Sequence, residues 1–168
     1  MARKMIEVYL GLGCNLGNRR DSIEAAFREL EQLGSDFRSS SIFESEPWGY
    51  EDEKLYLNAA CAMKTQLSPH ELHRETLKIE RAMGRETDKR KSGEPYRARR
   101  MDVDILFYGD LILSDDGLEI PHPRLHLRKF VLTPLLELNP ELNHPVLKKT
   151  VRELYRKVED ESELRVIE

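Results

Sequence analysis

Apolar and polar positions alternate with period two over Ile6-Glu7-Val8-Tyr9-Leu10, which predicts a first strand ending at Gly11. Ile23, Ala26, Phe27, Leu30 and Leu33 then recur at helical spacing, and Gly34 is placed to end that helix. Residues 36–46 and 56–65 read as two further strands, separated by Pro47, Gly49 and an acidic run. Ser68-Pro69-His70-Glu71 is a capping box with proline at the first helical position. The helix it opens carries Leu72, Glu75, Thr76, Ile79 and Ala82 as far as Gly84. A long polar segment from Arg85 to Arg100 leads to another apolar strand, which contains two aspartates. The order is β-α-β-β-α-β, which predicts an α+β, ferredoxin-like core: an antiparallel sheet packed by helices. C-terminal additions follow: a turn at Gly109-Asp110, a short strand over Leu111 to Leu113, a helix near Arg128 to Leu138, and a last helix capped at Thr150-Val151-Arg152-Glu153.

The densest chemistry lies at Arg99-Arg100-Met101-Asp102-Val103-Asp104-Ile105-Leu106-Phe107. Strand alternation sends Asp102 and Asp104 to one face, with Cα atoms roughly 6.5 Å apart. Two like charges at that spacing repel unless a cation sits between them, and hard oxygen donors suit Mg²⁺. The adjoining arginines fit if a polyphosphate bridges metal and guanidinium. A solvated strand start, its carboxylates paired with Arg99 and Arg100, fits this segment equally well. The connection from Arg85 to Arg100 is locally basic in an acidic protein, and about 16 residues without an apolar pattern point to a functional loop. A basic flap beside two carboxylates suits the handling of ATP. Prolines also fix the backbone on both sides of His122 in Pro121-His122-Pro123, with Arg128 and Phe130 shortly after. Arg128 can clamp a phosphate and Phe130 offers a flat apolar face. His126 reads as a structural hydrogen-bonder.

Composition narrows the classes. The chain of 168 residues is long enough to bury a proper core, and it has no internal repeat or linker, so residues 1–168 read as one domain. A net charge of −4 argues against a dedicated nucleic-acid binder. Cys14 and Cys61 are too few for a disulfide or zinc framework, which points to a reducing cytoplasm. No signal-peptide pattern or apolar run of roughly 20 residues is present, so a membrane partner is not expected.

Six segments, taken in order, resemble one family. They are Gly11-Leu12-Gly13-Cys14-Asn15-Leu16-Gly17, Pro47-Trp48-Gly49, Tyr56-Leu57-Asn58-Ala59-Ala60, Ile79-Glu80 with Gly84-Arg85, Arg99-x-x-Asp102-x-Asp104-Ile105-Leu106, and Pro121-His122-Pro123-Arg124 with Arg128-x-Phe130-Val131-Leu132-x-Pro134-Leu135. Together they resemble 6-hydroxymethyl-7,8-dihydropterin pyrophosphokinases from about residue 6 to residue 142. The resemblance implies an ATP-dependent diphosphokinase of folate biosynthesis, which transfers a diphosphate to the pterin's hydroxymethyl oxygen and releases AMP. It implies that Asp102 and Asp104 hold two Mg²⁺ ions and act with Arg85 and Arg99 in catalysis. It also places Arg85, Arg99, His122 and Arg128 against phosphates, with Glu80 and Ile105 on the ATP side. Tyr56 and Phe130 match the aromatics that sandwich the pterin, Ser45 and Asn58 match its polar edge, and Trp48 matches its rim. ATP and a pterin are the expected partners, with no nucleic acid and a monomeric chain. The chain departs from the family where Cys14 replaces a common serine, where Tyr96-Arg97-Ala98-Arg99 replaces a Trp-Gly-Pro-Arg run, and at Trp48, where an aliphatic residue is common. Other Mg²⁺-dependent phosphotransferases or nucleotidyltransferases, and non-catalytic modules on the same fold, are the alternatives. Residues beyond about 142 carry no specific signal.

Overall fold

The computed structural model describes residues 3–15, 18–45, 56–84 and 101–167. Its centre is β1 (Ile6–Cys14), hydrogen-bonded antiparallel on one side to β4 (Tyr56–Thr65) and on the other to β5 (Met101–Tyr108). The strand therefore does not end at Gly11 but continues to Cys14. Glycine weakens an isolated strand, but here Gly11 and Gly13 are held by ladders on both edges. Cys14 is accordingly a buried strand residue rather than part of a tight turn.

The free edge of β4 is shared by two short strands. β2 (Ser35–Ser39) pairs with its far half and β3 (Phe43–Ser45) with its near half. The expected single strand over 36–46 is thus two strands, and Ser40 explains the break. Its backbone N–H donates to Ala60 O at 2.8 Å, while its hydroxyl accepts from Ala60 N at 2.8 Å and so replaces a ladder carbonyl. Beyond β3 lies β8 (Arg165–Val166), giving the sheet order β5-β1-β4-β3-β8 with β2 also on β4. Counting β2 and β3 as one interrupted strand, this is the ferredoxin-like arrangement.

Helices cover both faces. α1 (Arg19–Glu31) and α2 (Pro69–Gly84) bury Ile23, Leu30, Leu72 and Ile79 against Val8, Leu10, Leu12, Met63, Val103 and Ile105. The capping box that starts α2 is formed: Ser68 N donates to Glu71 Oε1 at 2.9 Å, and Glu71 N to Ser68 Oγ at 3.2 Å. On the other face α3 (Lys129–Leu138) and α4 (Val151–Lys157) pack Leu132, Leu135, Val151 and Leu154 on Tyr9, Ala60, Ala62, Leu106 and Phe107. The register shift between Tyr9 and Leu10 lets both Leu106 and Phe107 join that second core.

The short strand expected over Leu111 to Leu113 is displaced. A hairpin of β6 (Leu113–Asp115) and β7 (Leu118–Ile120) forms instead, turning at Asp116-Gly117 with φ of 46° and 77°. Two successive residues with positive φ match the twist of a two-residue hairpin, and Asp-Gly is the pair that adopts it most readily. The hairpin leads into a cis Ile120–Pro121 bond and the turn that carries His122.

Candidate functional site

The second face of the sheet is only partly covered by α3 and α4, and the open part is where the chemistry gathers. Gly11 pairs with Asp104 and Gly13 with Asp102 across the β1–β5 ladder, while Gly13 also pairs with Asn58 on β4. Residues directly opposite in adjacent strands share a face, so Asn58, Gly13 and Asp102 form one row and Gly11 and Asp104 part of the next. Because glycine has no side chain, β1 forms a flat floor at Gly13 between an amide wall and a carboxylate wall, whereas the Leu106 side chain lies against Gly11. Phe43 faces Asn58, and Ser45 faces Tyr56, on β3 and β4. The amide group of Asn58 is oriented: Nδ2 donates to Ser45 Oγ at 2.6 Å, leaving Oδ1 beside Gly13. Asn58 and Ser45 are both buried, whereas Tyr56 is half-buried.

The two aspartates behave as alternation predicts. Along β5, Met101, Val103 and Ile105 are buried, Asp102 is half-buried and Asp104 is exposed. Among the described strands β5 is the outermost on its side of the sheet, and it packs into the core through Met101, Val103 and Ile105. Glu80 reaches that edge from α2, accepting the Val103 N–H at 3.2 Å. Ile105 lies in the core beneath α1 and α2, on the face opposite the aspartates.

The turn after β7 docks onto the same edge. His122 N donates to Leu106 O at 3.1 Å, and His122 Nδ1 accepts from Arg124 N at 3.3 Å. With Nδ1 accepting, the ring proton of the neutral form sits on Nε2, free to donate outward. Burial, then the nearby Arg128 and Arg124 guanidinium groups, hold His122 below the usual imidazole range, against a weaker opposing pull from Glu119. Arg128 occupies the N-cap position of α3 and lies over the Phe130 ring, 5.6 Å from its centroid. Four residues after Phe130 comes Pro134, which has no N–H to offer the Phe130 carbonyl. Phe130 is half-buried at the start of the helix.

Arg85, Arg99 and Trp48, and with them the basic flap, lie outside the described residues. Among the described residues, no group of three or more His, Cys, Asp or Glu is gathered around one point. The donor set on this face is two carboxylates. That suits Mg²⁺, which keeps several waters and shares its remaining positions with substrate phosphates. His126 does not show the hydrogen bonding expected of it: its ring meets the His144 ring edge-on at 6.5 Å, and its buried Nδ1 has no hydrogen-bond partner among the described residues. Sequence reasoning quoted Gly13 and Arg124 as motif residues but gave neither a role. Alternate glycines in a strand whose neighbour has alternate aspartates was the available signal.

The fold and site define an α+β domain with an acidic pair on β5, a cationic turn after β7 and two half-buried aromatic side chains, Tyr56 and Phe130. The pattern of the 7,8-dihydro-6-hydroxymethylpterin-pyrophosphokinase family matches residues 9–140, and the chain belongs to that family. It is 38% identical over 149 residues to the 2-amino-4-hydroxy-6-hydroxymethyldihydropteridine pyrophosphokinase of Aquifex aeolicus, covering 89% of this chain and 90% of that protein. It is likewise 38% identical over 143 residues to the enzyme of the same name from Haemophilus influenzae, covering 84% and 86% respectively. The wild-type HPPK-DHPS structure of Plasmodium falciparum superimposes with a TM-score of 0.69 over 92% of this chain at 18% identity. This chain spans 41% of that longer one, and the likeness shows the shared fold.

Proposed function

We propose that this chain transfers a diphosphate from ATP to the hydroxymethyl oxygen of 6-hydroxymethyl-7,8-dihydropterin, releasing AMP, as a step in folate biosynthesis. In this step the hydroxymethyl oxygen bonds to the β-phosphorus, the bond from that phosphorus to the α–β bridging oxygen breaks, and the hydroxyl proton leaves. The observation that carries this reading is the row Asn58–Gly13–Asp102, in register across three strands of one open face. It sets a heterocycle-reading amide opposite a metal-binding carboxylate across a floor without side chains.

Tyr56 and Phe130 stack on the two faces of the pterin, and Ser45 and Asn58 read its edge through the amide orientation described above. Asp102 and Asp104 hold Mg²⁺. When bound, the metal neutralises charge on the triphosphate and orients it for in-line displacement. His122, through Nε2–H, and Arg128 donate to phosphate oxygens, and Arg85 and Arg99 join them from the flap. Glu80 holds the edge of β5 through the Val103 amide, so its contribution to ATP binding is the placement of the Asp102–Asp104 segment. No covalent intermediate on the protein is required, since positioning and charge complementarity supply the acceleration. Residues 1–168 act as one domain, as a cytoplasmic monomer without nucleic-acid or membrane partners. No helix among the described residues is long and apolar enough to cross a membrane.

Identification of the nucleotide product from ATP, Mg²⁺ and the hydroxymethyl pterin tests this reading. AMP supports it; ADP would make the chain an ordinary kinase, and free diphosphate a nucleotidyltransferase.

A further inference from the structure

We infer that the segment after α4, residues 158–167, is a strap that positions the two walls of the pterin pocket, with Asp160 as its anchor; the inference rests on the reading above. The family match ends at residue 140, so this segment lies beyond it.

At one end the strap caps α3. The N-cap residue Arg128 offers no side-chain acceptor to the first turn, leaving amides that need partners. Asp160, 31 residues downstream, supplies one: its Oδ2 accepts the Lys129 N–H at 3.1 Å. Its other oxygen accepts the Ser162 N–H at 2.9 Å and the Ser162 hydroxyl. Burial pushes the Asp160 carboxyl up, but these hydrogen bonds and the Lys129 charge outweigh it and hold the group ionised. A fixed negative charge at a helix N-terminus is favourable there. Lys129 stands between Arg128 and Phe130, so the anchor sets the helix end that presents both side chains.

At the other end the strap becomes β8 and covers the outer edge of β3. Val166 pairs with Phe43 and Arg165 with Glu44. Ile167 N donates to Ile42 O at 2.9 Å, and Arg165 donates to Glu44 Oε1 at 2.7 Å. Arg19 of α1 approaches the second Glu44 oxygen at 3.4 Å. Ser45, the next residue, accepts from Asn58. Without β8 the three-residue β3 would have a ladder on one side alone, a weak hold for a strand that positions a substrate contact. From Asp160 to Arg165 the chain can reach at most about 17 Å, so one short covalent span joins the Phe130 wall to the Ser45 wall. Asp160 is therefore a positioning residue for pterin, while the ATP contact assigned above to this helix end is Arg128.

The test compares full-length protein with Asp160→Ala, Asp160→Asn, Arg165→Ala and a chain lacking residues 160–168. Steady-state constants for both substrates are measured together with amide exchange of β3 and of the first turn of α3. We expect Asp160→Ala and the truncation to raise the pterin KM about tenfold, with kcat within about twofold and the ATP KM changed less than about threefold, the pattern of lost ground-state positioning. Asp160→Asn keeps a side-chain acceptor and should restore most of the pterin KM. Arg165→Ala should raise the pterin KM alone. Exchange at Lys129 and Glu44 should speed up together in the truncated chain. An unchanged pterin KM in Asp160→Ala, or equal rises for both substrates, would overturn the proposal. Wild-type turnover in the same assay tests the underlying reading separately, and the exchange data test the strap without turnover: protection lost at one end only would overturn it as well.

Discussion

Gly13→Ala should separate the groove from the fold. Gly13 lies in paired, extended backbone between β4 and β5, a conformation alanine adopts freely. The new Cβ would stand 3.6 Å from Asn58 Oδ1, an ordinary contact. Removing a glycine at a compatible position typically adds about 0.4–1 kcal/mol by restricting the unfolded chain. For a domain of this size that corresponds to a Tm rise of roughly 1–4 °C. The same methyl rises from the groove floor between Asn58 and Asp102, and a flat substrate resting there is displaced by on the order of 1 Å. Misplacement of that size costs about 10²-fold in rate, or roughly 2.7 kcal/mol of transition-state stabilisation. Gly11→Ala is the internal contrast. Its Cβ would meet Leu106 Cδ1 at 3.1 Å and Cδ2 at 3.3 Å, and Leu106 is fully buried under α3 and α4. Overpacking of this kind costs about 1–3 kcal/mol, so its Tm should fall. Thermal unfolding alongside an AMP-release assay reads both effects. Full activity in a stable Gly13→Ala chain would refute the groove floor, and a large Tm loss in that variant would refute the packing argument.

Other outcomes follow from the same geometry. Asp102→Ala and Asp104→Ala should each lower Mg²⁺-dependent turnover on the order of 10³-fold or more while Tm changes little, because β5 packs through Met101, Val103 and Ile105; near-normal turnover in either is the contrary result. Phe130→Ala should weaken pterin binding by roughly 1–3 kcal/mol, the worth of one stacked ring, and nucleotide binding far less, as titration calorimetry with each ligand would report. His122 is held below the ordinary imidazole range by burial and by Arg128 and Arg124, so an arriving triphosphate should raise it again; ATP binding near pH 6.5 should take up protons, seen as a buffer-dependent binding enthalpy that His122→Asn removes. His144 is also depressed, by burial and then by His126, while its Nδ1 accepts the Val146 and Leu147 amides. The unfolded chain binds these imidazole protons first as pH falls, so stability should drop below about pH 6.5, and His144→Asn should flatten the decline of Tm between roughly pH 7 and 5.5.

The helices and their caps were legible in the sequence because their signals are local. Ser68 and Glu71, or Thr150 and Glu153, specify a helix start within four residues, and both boxes are formed. The pairing of Asp102 with Asp104 was legible for the same reason, since alternation needs no tertiary information. What escaped depends on partners distant in sequence. Gly11 looked like a strand end because nothing in its own segment reveals the two ladders that carry β1 to Cys14. The break at Ser40 depends on a hydroxyl meeting Ala60, 20 residues away. The Asp116-Gly117 hairpin carried a local signal that the apolar run at Leu111 outweighed. Asp160 lies among the residues beyond about 142 that carried no specific signal, because its partner, the Lys129 amide, is 31 residues away.

The central claim is that the paired aspartates beside the glycine floor direct attack on the β-phosphorus of ATP. Single-turnover reactions with ATP labelled at either the α- or the β-phosphorus test it most directly. The β label should pass to the pterin, the α label should remain in AMP, and formation of both labelled products should require Mg²⁺ and vanish in Asp104→Ala. Transfer of the γ-phosphate alone, or β-label transfer that persists in Asp104→Ala, would contradict the account.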